Sequence, residues 1–338
     1  MVLVTGGTGL VGSHLLYFLL KKEEHVRAIH RKNSNLEGVK RIFSAYTSSA
    51  EAYFNKVEWV EADILDIPAL SKAFLGIEKV YHCAALINFE AKNYKLLKKV
   101  NIEGTANVIN LSLSNKIEKF CYVSSVAVFG NALNNELITE ETAWNPEDDN
   151  SVYAITKFGA EMEVWRGAQE GLKTVIVNPG LILGSAPNGD GSSFIVSIGA
   201  SGIPYYPSGG MGVVDVEDVA KAMILLMNST IENRQYILVG NNILYKELIS
   251  KLAQRFHKKP PTKKLSSNVM LFLSALEWFF ARIFGWSQKL QNHNVKSMFK
   301  KSFYDASRIQ KDLDFKFTHI DETLDRIAKF HSENTSEN

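Results

Sequence analysis

The chain has little cysteine, little proline and almost no net charge. Cys83 and Cys121 are the only two cysteines in 338 residues. Two thiols cannot staple a disulfide scaffold or supply a cysteine-spaced metal site. Each lies in an apolar run (VYHCAAL, FCYVSSV), the setting of a buried core thiol. The eight histidines include no HExxH pair, so no metal is expected. A net charge of +2 is too small to indicate a nucleic-acid partner. No basic leader precedes an apolar stretch at the N-terminus, where Met1 runs directly into Val2-Leu3-Val4. A cytoplasmic chain is therefore expected, with idle sequons at Asn110, Asn228 and Asn334. Long apolar runs are missing too. The strongest, 269–286, is broken by Ser274, Glu277 and Arg282, so no membrane-spanning helix is expected. What is present, 46% hydrophobic and 22% charged residues, suits a packed globular core.

Charge is unevenly placed. Residues 251–301 hold eleven lysines and arginines against one acid, Glu277. The same segment is rich in aromatic and aliphatic residues around Trp278 and Phe279. It reads either as a helix covering the core or a pocket mouth, with lysines as its solvated face, or as a peripheral membrane contact.

Periodicity predicts strands over 2–5, 26–30, 57–61, 80–84, 119–124 and 174–178. Helices are expected over 13–22, 67–75, 93–115, 151–170 and 215–228. Strands alternating with helices at this spacing indicate an α/β chain, a Rossmann-type doubly wound parallel sheet. After Pro179, Gly and Pro become dense up to Gly212, and from Tyr245 the pattern is mostly helical. The expected division is a dinucleotide-binding domain over 1–178, rejoined by 213–240. A smaller, mostly helical substrate lobe covers 179–212 and 241–330, and a flexible tail 331–338.

Three motifs carry chemistry. Thr5-Gly6-Gly7-Thr8-Gly9-Leu10-Val11-Gly12 follows the first strand and opens a helix. Glycines at 6, 9 and 12 permit a tight turn and close approach of backbone to a pyrophosphate, which the helix N-terminus then receives. The second strand ends in His30-Arg31-Lys32, where an acid would bind the ribose 2′-hydroxyl of NAD; two cations there suit the 2′-phosphate of NADP. Asp63, after the third strand, can accept from an adenine amino group, and Asp66 is placed to cap the helix begun by Pro68. His82 reads as a packed strand residue, and the small residues after it let a cofactor lie over the strand ends. The third motif is Ser124-Ser125 with Tyr153-Ala154-Ile155-Thr156-Lys157. Four residues apart, Tyr153 and Lys157 share a helix face. The lysine is placed to lower the tyrosine pKa, the tyrosine to exchange a proton with a carbonyl/alcohol pair, and Ser125 to bond the same oxygen.

These motifs resemble the short-chain dehydrogenase/reductase superfamily in its extended, epimerase/dehydratase branch. The resemblance runs from Met1 to about Phe330. It includes TGGTGLVG, YHCAA, Asn101-Ile102-Glu103-Gly104-Thr105, YVSSVAVFG, YAITK, Asn178-Pro179-Gly180 and VVDVEDVA. VRAIHRKNS, YYPSGGMGVVDVEDVA and YDASRIQKDLDF make the chain similar to dihydroflavonol reductase-like and 3β-hydroxysteroid dehydrogenase-like proteins. The resemblance implies that Gly6, Gly9, Leu10, Val11 and Gly12 border the pyrophosphate and Arg31 the 2′-phosphate. Asp63 and Ile64 would hold adenine, and Ala84 and Ala85 would lie beneath the adenosine. Ser125, Tyr153 and Lys157 would be catalytic, with Tyr153 and Lys157 also touching the cofactor. Pro179 and Leu181 would flank the nicotinamide, and Asp215 and Asp218 would brace the substrate loop. It also implies a homodimer through the helices over 93–115 and 151–170. Phe129-Gly130 stands where Tyr-Gly is usual, and the basic aromatic segment leaves the substrate class open.

Three functions fit. One is an NADP(H)-dependent oxidoreductase acting on a ketone or secondary alcohol of a bulky, apolar small molecule. There the helix 269–286 would roof a pocket lined by Phe194, Tyr205 and Tyr206. A nucleotide-sugar epimerase or dehydratase would use the same triad but retain and recycle its cofactor. A non-catalytic protein on this fold would carry a damaged triad, and this one is intact.

Overall fold

The computed structural model describes residues 1–132, 136–187, 193–271, 274 and 292–335. Seven parallel strands form its main sheet: β1 (Val2–Thr5), β2 (Val26–His30), β3 (Glu58–Glu61), β4 (Lys79–His82), β5 (Lys119–Val123), β6 (Thr174–Pro179) and β10 (Arg234–Leu238). Their order is β10-β6-β5-β4-β1-β2-β3. The winding reverses between β1 and β4, and the crevice at their C-terminal ends is where such sheets take ligands.

The central strands β1, β4, β5 and β6 are buried on both faces, while the edge strand β3 is partly exposed. Every residue of β6 is buried, and β1 alternates between two cores, Val2 and Val4 facing one and Leu3 the other. This continuous apolar reading belongs to parallel strands covered by crossover helices. One cover is α1 (Leu10–Lys21) with α9 (Val216–Asn228); the other is α4 (Ile67–Ala73), α6 (Gly104–Ser114) and α7 (Val152–Gln169). Asp66 caps α4 by accepting from Ala69 N at 3.1 Å.

Helix α1 begins at Leu10, three residues before the expected start at 13. Gly9, extended at φ −91° and ψ 177°, is its N-cap, and Ser13 N bonds Gly9 O to close the first turn. The glycine motif is thus half turn and half helix. The fourth strand ends at His82, not at 84, because the chain turns there to meet Gly6. The helix expected over 93–115 is three pieces, α5 (Tyr94–Leu97), a π-helical stretch Lys98–Glu103, and α6. The wider turn holds Asn101, whose amide bonds Leu86 N, Leu86 O and Thr156 Oγ1. Two helices, α2 (Leu36–Ser44) and α3 (Ala50–Phe54), occupy a stretch without a sequence expectation.

The remaining elements stand beside the sheet. β7 (Leu181–Leu183), β9 (Gly210–Asp215) and β11 (Asn241–Leu244) make a second, mixed sheet. β8 (Tyr205–Tyr206) and β12 (Lys263–Lys264) pair as a short ribbon. α8 (Ser193–Ser201), α10 (Tyr245–Arg255) and the C-terminal helix Ile320–Thr335 pack on Leu183, Val213 and Ile243 as a separate core. The expected tail from His331 begins in helix, where the His331 ring meets Phe256 edge-on at 5.2 Å. Beyond Leu271 the aromatic helix expected over 269–286 lies outside the described residues, apart from Ser274. No helix among the described residues is long and apolar enough to cross a membrane.

Candidate active site

The glycine turn is built for close approach. Gly6 has φ +70°, and a Cβ there would lie 2.6 Å from Ala84 N. A Cβ on Gly12 would lie 2.1 Å from Gly6 O. Side chains are thus excluded where the backbone must come within reach of a ligand. The first turn of α1 holds no acidic residue, and no side chain caps it. The N–H groups of Leu10 and Val11, in the first turn of α1, have no helical partner. The turn therefore offers a pyrophosphate both space and donors.

Around it stand the strand ends. Arg31 and Lys32 are exposed after β2, in a turn closed by Ser34 N bonding Arg31 O at 2.9 Å. Asp63 Oδ1 accepts from Leu65 N at 2.9 Å. Ile64 is buried, its side chain packing where a Cβ on Gly104 would fall, and its carbonyl accepts from Asn107 Nδ2 at 3.0 Å. Ala84 and Ala85 follow β4, half-buried and exposed. Pro179 ends β6 in the core, and Leu181 opens β7. His82 is fully buried between Thr5 Oγ1 (2.6 Å) and Thr105 Oγ1 (2.9 Å), and burial pushes its pKa down to about 3. It is a neutral structural link, as its strand position implied.

Ser125, Tyr153 and Lys157 converge beside this crevice. Ser125 follows β5 in extended backbone, its hydroxyl accepting from Ala127 N at 3.2 Å. Ser151 caps α7 by accepting from Ala154 N, which places Tyr153 in the first turn. Burial pushes the Tyr153 phenol up to about 12, and its hydrogen bond with Ser125 opposes that rise. Here the geometry departs from expectation. The Lys157 ammonium donates to Tyr122 Oη and Val123 O, both at 2.7 Å, and sits 4.4 Å over the Tyr122 ring. With its partners on β5, it does not lower Tyr153; burial dominates the phenol. Burial also pushes Lys157 down to about 7, opposed by Glu161 and then Cys83.

Three contributors escaped the sequence reading. Glu161, one turn beyond Lys157, is buried; it accepts from Ser124 Oγ, from Asn178 Nδ2 at 2.9 Å and from Trp165 Nε1 at 3.4 Å. It ties the ends of β5 and β6 to the catalytic helix. Its i+4 spacing from Lys157 was the available signal. Phe89, in the loop after β4, lays its ring 5.3 Å from that of Tyr153 while staying 43% exposed. Nothing in its sequence neighbourhood marks it. Asn178 Oδ1 is buried without a hydrogen-bond partner at the strand end beside Ser125.

Asp215 and Asp218 brace a different partner from the one expected. Asp215 caps α9, and it accepts from Thr323 and pairs with Arg326 of the C-terminal helix. Asp218 accepts from Thr318 N and Oγ1, both at 2.7 Å. Asp215 itself lines a separate cavity of about 400 Å³, with His14, Tyr46, Glu217 and Arg326 and no member of the triad. Among the described residues no group of three His, Cys, Asp or Glu side chains is set for a metal ion.

A dinucleotide cradle at the switch point, with a Ser-Tyr-Lys set beside it, defines a nicotinamide-dependent enzyme of the short-chain dehydrogenase/reductase class. Residues 2–240 match the NAD dependent epimerase/dehydratase family, and the chain belongs to it. The chain is similar to a putative dihydroflavonol 4-reductase of Synechocystis sp., 26% identical over 95% of this chain and 91% of that protein. Its fold matches the crystal structure of gox2253 with a TM-score of 0.82 and 26% identity, over 99% of this chain and 98% of that one. It also matches UDP-glucose 4-epimerase with UDP-glucose from Thermotoga maritima, with a TM-score of 0.75 and 20% identity over 99% of each chain.

Proposed function

We propose that this enzyme is an NADP(H)-dependent oxidoreductase that interconverts a ketone and a secondary alcohol on a bulky, largely apolar molecule. The observation that carries the substrate class is the Phe89 ring laid on Tyr153, an apolar wall at the acid/base group. Gly6, Gly9, Leu10, Val11 and Gly12 hold the pyrophosphate. Arg31 takes the 2′-phosphate, Asp63 and Ile64 the adenine, and Ala84 and Ala85 the adenosine. Pro179 and Leu181 flank the nicotinamide, which supplies or accepts the hydride when bound. Tyr153 gives its phenolic proton to the carbonyl oxygen, so ketone, hydride and proton sum to the alcohol, and the reverse reaction returns the proton to it. Ser125 holds the same oxygen. Lys157 turns from β5 to the ribose, where its charge favours loss of the Tyr153 proton. Residues 1–178 and 213–240 serve the cofactor, and 179–212 with 241–330 shape the substrate pocket. A homodimer through α5 and α7, which leave Leu96, Ile155 and Met162 exposed, belongs to the same reading.

The test is carbonyl-dependent loss of NADPH absorbance against a panel of bulky ketones, with NADH in parallel. Tyr153→Phe should lose about 10²-fold or more in kcat while binding NADPH as before. Arg31→Ala should weaken NADPH far more than NADH. A nucleotide sugar converted to its isomer with no net NADPH loss would replace the reductase by an epimerase.

A further inference from the structure

The basic segment divides into cations the fold uses and cations it leaves over. Lys251 and Arg255 on α10 pair with Asp321, and Arg255 also with Asp325, both on the C-terminal helix. Those charges are neutralised inside the molecule. Lys258, Lys259, Lys263 and Lys264 are exposed and have no carboxylate partner among the described residues. No Asp or Glu occurs in 193–214 or in 248–271, the two stretches that meet here.

Backbone bonds fix these lysines beside apolar side chains. Thr262 N and Lys263 N both donate to Pro204 O, at 3.0 and 2.8 Å, and Leu265 N donates to Tyr206 O at 2.9 Å. Lys263 and Lys264 thereby pair with Tyr205 and Tyr206. Lys258 lies against Gly202, so the 258–264 stretch follows 202–206 along one rim of the molecule. Ile203 and Tyr205 on that rim are 43% and 44% exposed. The Lys263 ammonium sits 5.7 Å over the Tyr205 ring.

We infer that this rim, Lys258, Lys259, Lys263 and Lys264 with Ile203 and Tyr205, docks the enzyme on an anionic lipid bilayer. Four unpaired ammonium groups meet the headgroup charge, which acts only within about a Debye length, roughly 8 Å at physiological salt. Lysine stems and a tyrosine are suited to the headgroup level, with the apolar body turned to the lipid and the polar tip to water. Ile203 gains nothing from a nucleic-acid backbone but gains from the acyl boundary. The two-residue strands of the ribbon are too short to add a strand from a protein partner. The inference concerns attachment, and because Ile203, Tyr205 and the four lysines lie in the segments proposed to shape the substrate pocket, its readout is vesicle binding and not turnover.

The test is cosedimentation of the full chain with phosphatidylcholine vesicles, with and without phosphatidylserine, at low and physiological salt. Binding should require phosphatidylserine and weaken with salt. Replacing all four lysines by glutamine should reduce it about a thousandfold. The double variant Ile203→Ser, Tyr205→Ser should weaken it while keeping the salt dependence. Both sets are exposed, and unchanged NADPH binding checks that each variant is folded. Three results would overturn the inference. These are absence of wild-type binding, equal binding by the four-lysine variant, or tighter salt-dependent binding to a single-stranded oligonucleotide than to the anionic vesicles.

Discussion

Burial pushes the Lys157 ammonium down to about 7, and the first force against that is the Glu161 carboxylate. In the proposed reaction the lysine acts as a cation, favouring the tyrosinate and bonding the ribose. Activity that needs this charge is lost as pH rises through the lysine's pKa. Glu161→Gln removes the charge that raises that pKa, so the loss should begin at lower pH. A carboxylate that merely packs would leave the position of the pH–kcat profile unchanged and alter only stability. The distinction matters because Glu161 also holds Ser124 and Asn178, whose strand ends carry Ser125 and Pro179. The YxxxK spacing was legible in the sequence because four residues along a helix is a local relation. The hold of Glu161 on two strand ends was not, since it joins residues up to 37 positions apart.

At the scale of the element, the glycine turn states its own tolerance. A Cβ on Gly12 meets a backbone oxygen, which has no rotamer by which to move away. Gly12→Ala should therefore cost roughly 1–3 kcal/mol and abolish dinucleotide binding. A thermal melt and a fluorescence titration measure the two effects, and an unchanged melting temperature would show that the turn opens freely. The central strands of the main sheet were readable because burial on both faces writes near-continuous apolar runs, as in β1 and β6. The helix boundaries were not, where tertiary contacts set them. Leu10 and Val11 look like turn residues beside three glycines, yet the extended Gly9 puts both into helix. The π-helical stretch arises where Asn101 reaches Leu86 and Thr156, contacts that helical periodicity does not encode.

At the scale of the molecule, the buried Asp215 and Asp218 tie α9 to the C-terminal helix and the residues just before it. Asp218 receives both hydrogen bonds of Thr318 just before the C-terminal helix. Asp218→Ala should cost about 1–3 kcal/mol by leaving those donors unpaired. Amide exchange over 320–335 should quicken while NADPH affinity stays the same. Exchange unchanged in that helix would mean that its apolar face alone secures it. The same helix neutralises Lys251 and Arg255 through Asp321 and Asp325, and so decides which basic residues remain free.

The sequence by itself determined the parallel sheet, the glycine turn after β1 and the helical spacing of Tyr153 and Lys157. Each is written in local spacing: apolar runs of strand length, glycines at fixed steps, and a helical period. Only the tertiary structure decided where Lys157 points, that Phe89 covers Tyr153 and that Glu161 is buried among strand ends. It also decided which of the clustered lysines have no carboxylate partner among the described residues. Those outcomes depend on packing between segments far apart in the chain, where burial and the nearest charge, not sequence neighbours, set each group's partner and protonation.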